Sequence, residues 1–94
     1  MTIFSRILKW NNDRMLIKTP KDLNLKNESS FILEELLEMN TDLKSDKANE
    51  EARKMVSQIV SDDYKSESEQ IVDAAGDIIV FATWIIAKAG YNPD

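Results

Sequence analysis

The sequence contains no cysteine and no histidine. That removes disulfide scaffolds, thiol nucleophiles, zinc fingers, haem ligation by imidazole and every catalytic dyad that needs a histidine base. Di-iron bundles built on Glu-x-x-His are excluded for the same reason. Any metal must therefore take oxygen ligands, which points to a hard cation: Mg²⁺, Mn²⁺ or Ca²⁺. Glycine and proline occur only twice each, too seldom for a turn-rich β architecture and well suited to long helices. Basic residues are also in short supply, 12 against 17 acidic ones, for a net charge of −5. Phosphate neutralisation needs clustered Lys and Arg, so nucleic acid is not an expected partner. The longest uncharged apolar run, residues 78–87, is about half of the roughly 20 residues that a bilayer span needs, so no membrane partner is expected. The opening MTIFSRILKWNNDR has neither the apolar run nor the small-residue cleavage site of a secretory signal, which leaves the cytoplasm as the default location.

What remains is ordinary globular material: 94 residues, 43% apolar and 31% charged. This is the size of one domain, 1–94, and a small one. Helical periodicity predicts four segments. The first covers about residues 2–12, with Thr2 as its cap and Phe4, Ile7 and Leu8 on one face; Pro20 breaks the connector after it. The second runs from Asn24 or Asn27 to about 42. The third extends from 45–46 to 61–63, with Ala48, Ala52, Met55, Val56, Ile59 and Val60 on one face. The fourth opens near Ser66 or Ser68 and runs to 89, where Gly90 stops it and Pro93 follows. Its stretch 71–87 is apolar nearly all round, as expected of a helix at the centre of a bundle or an oligomer. No internal repeat and no low-complexity tract are present, and no heptad pattern is sustained long enough for a coiled coil. The expected fold is all-α, a four-helix-bundle-like domain completed by forming a homodimer or homotetramer.

Two groups of acids stand out. Asp73 and Asp77 interrupt the apolar IVDAAGDIIVFATWIIA. Being four residues apart, they share a helix face, and Glu69, Trp84 and Lys88 fall with them in a stripe about 100° wide. Charges in a buried helix are costly unless something neutralises them. The second helix has EELLE, with Glu34, Glu35 and Glu38 on one arc and Ile32, Leu36, Met39 and Leu43 on the neighbouring side, read as the core face. Antiparallel packing of the two stripes would converge four or five carboxylates on a divalent cation. Each feature also has a plainer reading. EELLE is commonly a solvated helix face, and the Asp pair can be met by Lys or Arg. Trp84 and Phe81 suit a core, and Lys88 suits a helix C-terminus.

EELLE followed much later by DAAGDIIVFA resembles the MazG-like all-α nucleotide pyrophosphohydrolases, nearest their phosphoribosyl-ATP pyrophosphohydrolase-like branch, over about residues 10–93. The resemblance implies an oligomeric helical bundle that needs Mg²⁺, and the oxygen-only ligand set admits Mn²⁺ as well. It implies cleavage of a nucleoside triphosphate or related nucleotide between the α and β phosphates, giving the monophosphate and pyrophosphate. It assigns Glu35, Glu38 and Asp77 as metal ligands, and Glu34 as a ligand or the residue that orients the attacking water. Many members carry Glu where this chain has Ala74, and Asp73 is the substitute ligand. Members often continue past the GYNPD-like turn into a segment with phosphate-contacting Asn and Lys; here Lys9, Arg14, Lys88 or a neighbouring subunit is expected to supply that charge. Glu34 and Glu38 are thus the candidate catalytic carboxylates. Glu35, Glu38, Asp73 and Asp77 are the candidate metal ligands, and Trp10 and Lys88 the candidate substrate contacts. The competing reading is a non-catalytic helical-bundle partner or regulator that keeps the scaffold. An acidic DNA mimic fits less well, because its acids should spread over the surface.

Overall fold

The computed structural model describes residues 2–14 and 23–92. It is all-helical there: α1 (Ile3–Asp13), α2 (Leu25–Asn40), α3 (Ser45–Ile59) and α4 (Ser68–Lys88). Pro20 and Pro93, read from the sequence as breakers, lie outside the described residues.

Side-chain caps place the starts of α1 and α2, whereas α3 and α4 open after Lys44 and Glu67 without a side-chain cap bond. The Thr2 hydroxyl accepts the Ser5 N–H at 3.2 Å, and Asn24, not Asn27, caps α2 by accepting the Asn27 N–H at 3.1 Å. Two helices end earlier than their periodicity suggests, and a hydroxyl is at work each time. Thr41 donates back to the Leu37 carbonyl and accepts the Leu43 N–H at 3.1 Å, which closes α2 at Asn40. Beyond α3, Val60 is extended and Ser61 accepts the Asp63 N–H at 3.1 Å, a local turn that outcompetes another helical residue. α4 ends as expected. Gly90 adopts φ 93°, its N–H donates to the Ala87 carbonyl at 3.0 Å, and the Tyr91 N–H reaches back to Ile86 at 3.2 Å. This double closure needs a residue comfortable at positive φ.

The chain divides into two compact units, one of Lys18–Tyr64 and one of Met1–Ile17 with Lys65–Asp94. In the first, α2 and α3 form an antiparallel hairpin across the loop 41–44. Its contact is made of small residues. Ala48 and Ala52 are fully buried, Val56 nearly so, and the one buried residue of α2 is Ser30. Ser30 is affordable there because its hydroxyl donates to the Lys26 carbonyl at 2.7 Å. Leu33 and Leu37, on the same side of α2, are half-buried.

This corrects the face assigned to α2. Ile32, Leu36 and Met39 are exposed at 41%, 44% and 56%, and only Leu43 of that group is half-buried. α2 carries two apolar stripes, and α3 takes the one whose centre is small enough to admit its alanines. Ile59 is likewise 79% exposed, although it shares the periodicity of the α3 core. Away from the loop, Arg53 fastens the hairpin. Its Nη1 donates to Asn27 Oδ1 at 2.8 Å, its Nε donates to Asn49 Oδ1 at 2.9 Å, and its guanidinium lies 5.6 Å from the Phe31 ring centre. Lys26 pairs with Asp62 nearby. The outward side of α3 carries Lys54 between Glu50 and Glu51, a solvated face of modest energetic weight.

In the other unit, α1 exposes Phe4, Ile7, Leu8 and Trp10. The Arg14 guanidinium stacks 3.9 Å from the Trp10 ring centre. α4 is exposed along its whole length, with Ile71 and Thr83 alone half-buried. It is long and apolar enough to cross a membrane by length and composition, which revises the view taken from its uncharged run alone. The core helix of a soluble protein passes the same test.

The hairpin contact leaves no room for a larger side chain. Ala52→Leu should destabilise the protein by about 1–3 kcal/mol through overpacking, read from urea unfolding followed by far-UV circular dichroism.

Candidate functional site

α2 is unbroken from Leu25 to Asn40, so EELLE keeps strict helical geometry and its acids stay on one arc. Glu34, Glu35 and Glu38 each bring a carboxylate oxygen to within 4.8 Å of the others. Glu35 is exposed, and Glu34 and Glu38 are half-buried. The electrostatic cost falls on Glu35. The Glu38 charge beside it raises the pKa of its carboxyl above the ordinary value, with smaller contributions from desolvation, a side-chain hydrogen bond with Glu38, and Glu34.

Glu38 has a partner that the sequence reading missed. Ser45, the first residue of α3, donates from Oγ to Glu38 Oε1 at 2.7 Å. The loop 41–44 folds α3 back so that its N-terminus comes alongside the last turn of α2. The two residues stand on different helices, and their meeting depends on the loop between them, which periodicity within one helix does not describe. A charge-assisted bond of this kind fixes the orientation of the carboxylate.

Asp73 and Asp77 stand on one face of α4, in the other unit, and both are exposed. The apolar stretch around them predicts charges inside a buried helix. In this single chain both remain in water, so the burial penalty is absent. Further along α4, Lys88 Nζ lies 5.8 Å from the Trp84 ring centre, and Phe81 meets Trp84 edge-on at 5.3 Å. Shallow open hollows lie beside Arg6, Ile7, Trp10 and Asn11 on α1, and beside Ser68, Glu69, Val72 and Asp73 on α4. Trp10 is already stacked by Arg14, which also donates to the Trp10 carbonyl at 3.2 Å.

The three glutamates offer oxygen donors alone, a set suited to a hard cation that keeps part of its water shell. Exposed acidic groups are also common without any ion, so the cluster does not by itself identify a metal site. The chain matches no protein-family model, no curated protein and no solved structure.

The raised Glu35 pKa has a definite sign in stability. The folded state holds the Glu35 proton more tightly than the unfolded chain does. The stability gained is therefore present below the unfolded pKa and lost as pH rises through the folded one. Glu35→Gln should accordingly raise the melting temperature at pH 7, and the gain should shrink as pH falls through the carboxylate range. Thermal melts of both proteins at pH 7 and pH 4 check this.

Proposed function

We propose that this protein is an Mg²⁺-dependent nucleotide pyrophosphohydrolase. It would convert a nucleoside triphosphate or related nucleotide to the monophosphate and pyrophosphate, as a MazG-like helical bundle completed by oligomerisation in the cytoplasm. The support is the ordered pair of acidic motifs, EELLE and then DAAGD, carried on two different helices, α2 and α4. The clustering of the EELLE carboxylates is compatible with this reading and adds an oxygen-only donor set.

In this reading Glu35, Glu38, Asp73 and Asp77 are the metal ligands. Mg²⁺ bound to such a set supplies positive charge to the phosphate oxygens and acidifies a coordinated water. Glu34 or Glu38 orients the attacking water and takes its proton, as the new P–O bond forms in line with the departing pyrophosphate. Ser45 holds Glu38 in one orientation while it does so. Lys88 and Trp10 are the proposed contacts for phosphate and base, and Mn²⁺ should substitute for Mg²⁺.

Pyrophosphate release from a panel of ribo- and deoxyribonucleoside triphosphates, with Mg²⁺, Mn²⁺ or EDTA, tests the reading. Metal-dependent release from one or a few nucleotides is expected. Glu38→Gln should lower kcat by about 10²–10⁴-fold, the usual weight of a general base. Asp77→Asn should abolish turnover and leave the helical spectrum intact. Undiminished turnover in Asp77→Asn would remove this assignment, and no release from any nucleotide would favour the non-catalytic scaffold.

A further inference from the structure

α4 presents two faces of different chemistry. Glu69, Asp73 and Asp77 share one. On the other run Ile71, Ala75, Ile78, Ala82 and Ile85, centred about 160° from the acids at the rotation of an α-helix. The spacing along this second face is four, three, four and three residues, that of a helix–helix seam. Large and small side chains alternate along it, and Ala89, the C-cap, continues the register. Ile71 is half-buried and the other seam residues are exposed.

A seam of alternating Ile and Ala is complementary to itself in one orientation. Two copies laid antiparallel, with the two-fold axis beside residue 80, set Ile78 against Ala82 of the second copy. The same register sets Ala75 against Ile85 and Ile71 against Ala89. Every large side chain meets a small one, the condition for close interdigitation. A parallel pair in register sets Ile on Ile and Ala on Ala, so crowding alternates with voids. We propose that this face of α4 is the interface of a homodimer, with the two α4 helices antiparallel.

The choice of a second copy over other occupants rests on shape and area. The other exposed apolar stripes, Phe4, Ile7 and Leu8 on α1 and Ile32, Leu36 and Met39 on α2, consist of large residues throughout and match only the alanine positions. The alanines of α3 are already buried. A bilayer would have to accept Asp73 and Asp77 on the same helix, which is costly. The seam and its flanking Ile79, Phe81 and Ile86 leave on the order of 500 Å² exposed per copy, so pairing covers about 1,000 Å², where specific interfaces begin. The seam is shorter than an extended coiled coil and long enough for one helix pair. The acidic face stays open to solvent in this arrangement, and the inference does not depend on the reaction proposed above.

The test is sedimentation equilibrium of the full chain over a range of concentrations. A dimer is expected. Ala82→Ile, which sets Ile against Ile78 of the second copy, should weaken dimerisation at least about tenfold in Kd. Ile78→Ala should weaken it comparably by opening a gap. The double variant Ile78→Ala with Ala82→Ile exchanges large and small in place, and should return to within about threefold of the parent. Far-UV circular dichroism checks that each variant is helical. A monomeric parent overturns the proposal, as do single variants that dimerise unchanged. So does a double variant no better than the worse single, or flotation of the protein with neutral phosphatidylcholine vesicles. Because the readout is mass, its failure is distinct from failure to release pyrophosphate.

Discussion

The contact between α2 and α3 is a contact between small residues, and the organisation of its unit follows from it. Ala48 and Ala52 on one side and Ser30 on the other are its most buried residues, with Val56 nearly as buried and Leu33 and Leu37 half-buried beside them. Packing around such small, fully buried residues is sensitive to single methylenes. The same contact decides which stripe of α2 is used. With Ser30, Leu33 and Leu37 turned inward, EELLE comes to lie beside the loop, where Ser45 reaches Glu38. Arg53, Asn27 and Asn49 close the other end with hydrogen bonds. The shared arc of the acids belongs to α2 itself, whereas the bond from Ser45 to Glu38 depends on this packing.

Crowding three carboxylates has an energetic consequence that packing does not remove. Glu35 carries it, chiefly because the charge of Glu38, itself held by Ser45, lies beside it. A cluster of this kind is poised either for a proton or for a cation, and the two compete for the same oxygens. That competition gives the cluster chemical interest even though solvent exposure weakens each pairwise term.

Much of the fold was legible in the sequence because its signals are local. Thr2 and Asn24 announce helix starts, Gly90 announces an end, and the absence of strands among the described residues follows from the helical periodicity of every apolar segment. The shared arc of Glu34, Glu35 and Glu38 was equally legible, since it needs only 100° per residue. The packing face of α2 was not. Hydropathy ranks Ile32, Leu36 and Met39 above Ser30, whereas the actual criterion is the volume that Ala48 and Ala52 admit. Ser45 was hidden for a related reason, because its meeting with Glu38 depends on how a loop folds back. The covering of α4 was legible only as a need. Periodicity shows that a helix has an apolar face and says nothing of what lies against it.

The bond from Ser45 to Glu38 joins two helices through one member of the acid cluster. α2 alone groups the three glutamates, but the Ser45 bond that orients Glu38 exists only while the hairpin is closed. Thermodynamic linkage then runs in both directions. Anything that binds the ordered cluster more tightly than the open one holds α2 and α3 together, by a free energy set by its concentration relative to its dissociation constant. Loosening the packing of Ala48 and Ala52 against α2 correspondingly weakens whatever depends on the Ser45 bond to Glu38. Two buried alanines, with no side-chain atom able to bind anything, would in this way influence the affinity of a site built from carboxylates.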